Sequence, residues 1–380
     1  MAGIYLHIPF CKQACHYCEF HFSTTRKHQT EMVQAIAKEL VLRKGEMPQD
    51  VETIYFGGGT PSLLNASELE FLLKTIYNHF KVSNTPEITL EANPDDLSEG
   101  VLQSLKAASV NRLSIGAQSF FEEDLLLMNR AHNASEAITC IENAQSYFEN
   151  ISIDLIYGMP KMTAERWLQN LDKAFQLNVP HLSCYALTVE PKTALKKFIE
   201  KGTVPPVEDE LAQEHHALLV QQTEERGYVN YEFSNFGKPG FESQNNLGYW
   251  LGKPYLGVGP SAHSFDGNSR SWNIRNNSKY IQAIMKGELP LEREHLSLRD
   301  HYNEYVMTRL RTQWGINLEE VETRFNSVCK AHVWEQAQPH LQNGNLLLEG
   351  HHLKVSAKGK FLSDGIASDL FLLHLERNTQ

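Results

Sequence analysis

Short β-branched apolar runs alternate with amphipathic stretches through the first half of the chain, and that alternation restricts the fold more than any other feature. The runs fall at Ile4–Ile8, Thr53–Phe56, Glu87–Glu91, Arg112–Ile115, Ser152–Ile156 and His181–Leu187. Between them, apolar residues at helical spacing cover about Thr30–Lys44, Ala66–Phe80, Glu99–Ala108, Glu122–Asn129, Ser135–Phe148 and Ala164–Asn178. Asn65, Ser98 and Ser135 stand at helix starts, where their side chains are able to cap orphan amides. Alternation of this length predicts an α/β fold with a parallel sheet and right-handed crossovers, either doubly wound or barrel-like. Both solutions put active sites at the carboxyl ends of the strands.

The residues at the end of each run fit that rule. A cysteine loop comes after the first, and Gly57-Gly58-Gly59-Thr60-Pro61 after the second. The third ends at Glu91 and Asn93, the fourth runs into Gly116 and Gln118, and the fifth carries Asp154 before Tyr157-Gly158-Met159-Pro160. The sixth ends near Tyr185 and Glu190. The glycine run lets backbone approach a ligand closely and offer it amides. Glu91 and Asp154 are able to bind ribose hydroxyls or an ammonium group. Arg130 suits a carboxylate, and Gln118 a hydroxyl or a base edge. Each has a plainer reading as well: a tight turn for the glycines, a surface ion pair for Arg130, a satisfied core amide for Gln118.

Cys11, Cys15 and Cys18 form a C-x3-C-x2-C array one turn past the first run. Three thiolates on a short loop suit a four-iron cluster that keeps one iron open to a small chelating molecule. The competing reading is a zinc site completed by His16 or His21, although closed zinc sites usually draw on two separated ligand pairs. Cys140, Cys184 and Cys329 are isolated and read as buried, inert thiols. With 380 residues, one large domain and a smaller one are expected. A formal charge of −11 argues against non-specific nucleic-acid binding. No stretch approaches the ~20 apolar residues of a membrane span, and no signal-peptide pattern opens the chain. A reducing, cytoplasmic location is expected.

The stretch Tyr5-Leu6-His7-Ile8-Pro9-Phe10-Cys11, with Cys15, Tyr17 and Cys18, resembles the radical S-adenosylmethionine (SAM) superfamily. The likeness continues through Gly57–Ser62, Glu91-Ala92-Asn93-Pro94, Arg112–Phe120 and Asp154–Pro160, and is closest to the HemN/HemW branch. It implies a partial (β/α)6 TIM-like barrel over residues 1–204 and a barrel extension over 205–289. A small lid domain over 290–380 completes it. It also implies a [4Fe-4S] cluster on Cys11, Cys15 and Cys18, with SAM on the open iron. By motif position the SAM contacts are Tyr5, Tyr17, Gly58, Gly59, Thr60, Glu91, Gln118, Arg130 and Asp154.

The branch holds two function classes. In the oxygen-independent coproporphyrinogen III oxidases, an electron from a donor such as flavodoxin or ferredoxin cleaves SAM to a radical that attacks a porphyrinogen. In the heme chaperones, the protein holds heme for an acceptor protein. The oxidases carry a further cysteine where this chain has Phe20, and an N-terminal extension where only ten residues precede Cys11. Both departures favour the chaperone. Chaperones of the branch commonly carry His-Asn-x-x-Tyr-Trp, whereas this chain reads Asn245-Asn246-Leu247-Gly248-Tyr249-Trp250. Asparagine is a poor ligand for heme iron. His263, or His7 near the cluster, is a substitute, with Tyr249 and Trp250 able to stack on a porphyrin face.

After residue 290 the rhythm changes. Leu298–Arg311, Leu318–Phe325 and Ala331–Gln342 read as helices, Leu346–Leu348 and Leu353–Val355 as a hairpin, and a last helix starts from Ala357. The pattern is winged-helix-like and α+β. From Ser297 onward, nine Lys and Arg face ten Asp and Glu, which suits a lid or partner-docking role better than DNA binding.

Overall fold

The computed structural model describes residues 2–47 and 49–373. The first part alternates strands with helices, two of them after β4: β1 Ala2–Ile8, α1 Gln29–Leu42, β2 Val51–Gly58, α2 Ala66–His79, β3 Val82–Ala92, α3 Glu99–Ala107, β4 Arg112–Gln118, α4 Glu122–Met128, α5 Ala134–Gln145, β5 Asn150–Tyr157, α6 Ala164–Gln176 and β6 His181–Ala186. Next come α7 Ala194–Glu200, α8 Asp209–Glu224, β7 Val229–Glu232, β8 Asn235–Gly237, α9 Gln244–Trp250, β9 Tyr255–Val258, β10 His263–Phe265, β11 Ser269–Asn273, α10 Asn277–Lys286 and β12 Leu291–His295.

Strands β1 to β6 are parallel and stand in the sheet in chain order. A doubly wound sheet must reverse its order somewhere. These six do not, so every crossover turns the same way, the helices share one face, and the strands curve into a barrel arc. β9 adds a further parallel strand beside β1, and β8 pairs antiparallel with β6. Among the described residues the sheet has 12 strands and keeps two edges, β12 and β7, so the barrel is open.

Period-two alternation sorts the side chains. Ile4, Leu6, Ile54, Phe56, Leu90, Leu113, Ile115, Ile153, Leu155 and Leu182 are buried among the helices. The intervening Tyr5, Tyr55, Glu91, Arg112, Ser114, Asp154, Ser183 and Tyr185 line the inside of the arc. Helix α6 shows the outer packing: Trp167, Leu171 and Ala174 form one buried stripe, and the Trp167 indole donates to the His215 carbonyl at 2.9 Å. Fully buried Glu39 fixes α1 to the later strands. It accepts from Arg43 at 2.9 Å, Tyr280 at 2.5 Å, the Gly259 amide at 2.8 Å and Asn273 at 2.7 Å.

Helix starts agree with the sequence in part. Asn65 forms a capping box with Glu68, but among the described residues Ser98 makes no capping bond with its side chain. The cap of α5 is Asn133, not Ser135, because its side chain reaches the Glu136 amide. Strand β3 begins at Val82, earlier than Glu87, because Val82 pairs with Val51 across a register irregularity.

The C-terminal part has its own core, built on Tyr302, Val306, Leu310, Val321, Val333, Leu346, Leu353 and Leu370. It comprises α11 Leu298–Leu310, β13 Ile316–Asn317, α12 Leu318–Arg324, α13 Ser327–Gln342, β14 Leu346–Glu349, β15 His352–Val355 and α14 Ser363–Asp369. β13 joins the hairpin to make a three-stranded sheet. Helix α13 starts before Ala331 because Asn326 caps the Cys329 amide. The last helix starts at Ser363 rather than Ala357, since a 3-10 turn over Lys360–Leu362 comes first. This part is strapped to β7 by the bonds Phe233 N to Arg311 O at 2.9 Å and Gln313 N to Tyr231 O at 3.1 Å. Among the described residues, no helix is long and apolar enough to cross a membrane.

Candidate functional site

The cysteine loop is held from both sides. At its root, the Gly59 amide donates to Ile8 O at 2.9 Å and the Thr60 amide to Phe10 O at 2.6 Å. Gly59 has no room for a side chain, since a Cβ would lie 2.6 Å from Phe10 O. Gly58, at φ +103°, is left-handed, and its amide donates to Glu91 at 3.1 Å. On the far side, Gln13 donates to Asn129 O at 2.9 Å and Asn129 to Ala14 O at 2.8 Å. The His16 amide meets Met128 O at 3.0 Å.

Arg130 completes that wall. It is no surface ion pair: it is buried, with Nη1 donating to the Cys15 sulfur at 3.2 Å and Nη2 donating to Asn93 Oδ1 at 2.5 Å and Gly116 O at 2.9 Å. Among the described residues its Nε has no partner. Asn93 in turn donates to the Thr60 hydroxyl at 3.1 Å. Gln118 sits left-handed at φ +68° beside Arg130 and Gly116. Tyr17 packs on the core with Arg130, Cys15 and Asp154 around it.

Glu91 and Asp154 stand inside the arc. Burial pushes Glu91 up to about 7, against the Tyr55 hydrogen bond at 2.8 Å, and Asp154 up to about 6, against that from Ser114 at 3.2 Å. Burial also raises the Cys11 thiol, and lifts Cys18 to about 11. Cations would release those protons, because a thiolate is the metal-binding form. Cys140, Cys184 and Cys329 are buried, as expected for inert thiols.

The donor set fits an iron–sulfur cluster better than zinc. His16 Nδ1 is bonded to Leu127 O at 2.9 Å and His21 Nε2 to Asn277 Oδ1 at 2.6 Å. Among the described residues no three His, Cys, Asp or Glu side chains are close enough to share one ion. A cluster asks less, since each thiolate takes its own iron. Among the described residues the orphan Nε of Arg130 leaves a donor for a ligand beside it, and the glycine run leaves room for close approach.

The aromatic and histidine candidates are divided between two cavities. His263, Tyr249, Tyr5, His7 and Arg275 border a mouth cavity of about 400 Å³, together with Glu19, Phe20 and His21 from the end of the cysteine loop. The His263 ring tilts over Trp272 at 6.1 Å. Trp250 instead borders a cleft of about 220 Å³ facing the C-terminal part, with the Arg311 guanidinium 5.5 Å above its ring. Tyr249 touches both, packed edge-on against Tyr255 at 4.6 Å. Asn245 is 4% exposed and accepts from Thr53 at 3.1 Å on the floor of the arc. Sequence reasoning missed Arg112, Tyr55, Arg275 and Asn129. For Arg112 the signal was present, as a cation at an inward position of an alternating run.

The radical SAM superfamily pattern matches residues 5–174, and that of the HemN C-terminal domain matches residues 296–362. A heme chaperone HemW of Bacillus subtilis (strain 168) is 35% identical, over 86% of this chain and 87% of its own length. The chain belongs to the radical SAM superfamily, in its HemN/HemW branch. A heme chaperone HemW of Mycobacterium tuberculosis is 32% identical over 97% of this chain and 94% of its own. Among solved structures, the coproporphyrinogen III oxidase HemN of Escherichia coli superimposes with a TM-score of 0.83 at 26% identity, covering 97% of this chain and 90% of that one. Its fold bears out the partial barrel and the small C-terminal domain. Membership of the superfamily implies a [4Fe-4S] cluster and SAM.

Proposed function

We propose that the protein is a heme chaperone that holds a [4Fe-4S] cluster on Cys11, Cys15 and Cys18 and binds SAM beside it. Loaded, such a centre supplies SAM chelation and one-electron chemistry. Tyr17, Gly58, Gly59, Thr60, Gln118 and Arg130 would surround the ligand at the strand ends. Tyr5, Glu91 and Asp154 would reach it from inside the arc.

The observation that carries the reading is the makeup of the mouth cavity. One space of about 400 Å³ is walled by the end of the cysteine loop and by Tyr249, His263 and Arg275. A porphyrin there lies against the cluster loop, with an imidazole for its iron and a guanidinium for a propionate. His263 is exposed on the rim, its ring makes no hydrogen bond among the described residues, and partial desolvation with the Arg270 charge lowers its pKa, which favours a neutral nitrogen. Phe20, 69% exposed on the same rim, stands where the oxidases have their further cysteine. The wholesale likeness to heme chaperones supports the same side. Heme then passes to an acceptor protein.

Hemin titrated into anaerobically reconstituted protein should bind one-to-one with a Soret shift that His263→Ala abolishes. Reduced protein given SAM and coproporphyrinogen III should form no decarboxylated product. Turnover would overturn the chaperone reading in favour of an oxidase.

A further inference from the structure

The cleft toward the C-terminal part holds more hydrogen-bond donors than its own acceptors answer. Its walls are aromatic: Trp250, Tyr255 and Phe265 stand on one side and Tyr305 of α11 on the other, around about 220 Å³. Arg270, Arg309 and Arg324 line it as well. Two carboxylates serve these three cations. Glu304 accepts from Arg270 Nε at 2.7 Å, and Glu320 is shared between Arg324 Nη1 at 2.9 Å and Arg309 Nη2 at 3.5 Å. The Tyr305 hydroxyl takes the other oxygen of Glu320 at 2.9 Å.

Arg309 is the least satisfied of the three. Its side chain is 13% exposed, and among the described residues its guanidinium makes no hydrogen bond and meets Glu320 only at that longer distance. A guanidinium carries five N–H donors. The Tyr305 ring, 5.2 Å from its centre, backs it in place. The Trp250 indole N–H and the His301 ring, both on the cleft, also lack a hydrogen-bond partner among the described residues. An acceptor-poor, cationic space between aromatic walls suits an anionic group joined to an apolar one.

Size decides what carries that pair of groups. Small-molecule sites span about 300–1,000 Å³. About 220 Å³ falls below that range and suits one large side chain, the kind of anchor that a partner buries at the centre of an interface. Tyr249 and Tyr255 border both this cleft and the mouth cavity, so a protein seated here stands beside the mouth.

We propose that the cleft is the docking socket for the heme acceptor, which inserts an apolar side chain flanked by carboxylates. The identity of that partner rests on the heme reading above; the chemistry of the socket does not. Arg309 takes a carboxylate, the aromatic walls take the anchor, and the shared tyrosines couple docking to the heme held at the mouth.

The test titrates the reconstituted full chain with a capped peptide, Gly-Asp-Phe-Asp-Gly, read by saturation transfer to its phenyl protons and by tryptophan fluorescence. Exchanging both Asp for Asn, or Phe for Ala, should weaken binding at least tenfold. Arg309→Gln should lose as much for the Asp peptide and leave the Asn peptide unchanged, and Arg309→Lys should recover part. The fluorescence change should vanish in Trp250→Phe. Circular dichroism checks each variant, and should Arg309→Gln not fold, the paired peptides on wild type and Trp250→Phe decide. Saturating peptide should weaken hemin binding at least threefold, and hemin should weaken the peptide equally. Equal binding of the Asp and Asn peptides, no binding of either, or tighter binding of free 1-naphthoate through the same residues overturns the socket, while hemin binding still supports the heme reading. If the peptide binds as expected and hemin does not bind at all, the heme reading falls and takes the acceptor with it, leaving a socket for an acidic partner. Binding of both without coupling overturns the acceptor as occupant.

Discussion

The Arg130 guanidinium lies 3.2 Å from the Cys15 sulfur, and the same side chain reaches the ends of β3 and β4 through Asn93 and Gly116. One residue thus holds the middle cysteine in register with two strands. Arg130→Met should lower iron affinity about 10- to 100-fold, as loss of supporting bonds does at metal sites. Arg130→Lys should fall between, keeping the charge without the fork. Loss of the brown absorbance under chelator challenge reports both, and an unchanged rate in Arg130→Met would contradict the anchoring role.

Serine in place of Cys11, Cys15 or Cys18 should abolish the brown chromophore after anaerobic reconstitution. Metal analysis should show iron and sulfide in wild type and neither in the three variants. Colourless wild-type protein holding stoichiometric zinc would reverse the assignment.

Two glycines should respond to the same substitution in opposite directions. At Gly59 a methyl group would meet Phe10 O at 2.6 Å and Ile8 O at 2.7 Å, both backbone atoms that cannot turn aside. Gly59→Ala should cost about 1–3 kcal/mol and loosen the cysteine loop. Gly100 lies in α3 with nothing among the described residues within 4 Å of the new carbon, so Gly100→Ala should gain about 0.5–1 kcal/mol. Urea denaturation of both variants measures the contrast.

Glu39 is the counter-ion of Arg43 in a dry interface, with four donors aimed at it. Glu39→Ala should destabilise by about 3–5 kcal/mol, because it strands those donors and a buried charge. Glu46→Ala, at the partly exposed end of the same arginine, should cost about 1 kcal/mol or less. Chemical denaturation midpoints at constant slope would show the difference.

Glu91 should give the metal-free protein a measurable pH dependence. Its carboxyl is raised by burial from 4.5 to about 7, so between those values the folded chain binds more protons than the unfolded one. The contribution is complete below 4.5 and is lost as pH rises through 7. His7 and His132, pushed down by burial to about 4, act oppositely and cost stability as pH falls through 6.5. The part owed to Glu91 is isolated by comparison with Glu91→Gln: the stability of wild type relative to the variant should be greater at about pH 6.5 than at about pH 8. An identical slope in the variant would refute it.

The repeating half of the fold was legible because its two periods, two and 3.6, come from burying one face of each element against the next. All six strands and six helices lie close to where alternation puts them. The choice between barrel and doubly wound sheet was not legible from periodicity, since it depends on which strands neighbour one another. Residues 229–295 were less legible still. Their strands are mostly three to five residues long and stabilised by distant partners such as Glu39, which no local pattern announces. At the site, the cysteines, glycines and acidic residues stood out by spacing. Arg130 and Gln118 stood out only by position, and the bond from Arg130 to Cys15 spans 115 residues. Ser135 misleads for a similar reason: two polar residues flank Ala134, and only the backbone turn at Asn133 decides between them.

Tyr249 borders the barrel interior, the mouth and the cleft toward the C-terminal part. Three compartments of different chemistry thus share this ring, with Tyr5 also standing between the first two and Tyr255 between the last two. Truncating Tyr249 would enlarge all three at once, so a change at one side chain is felt in every compartment.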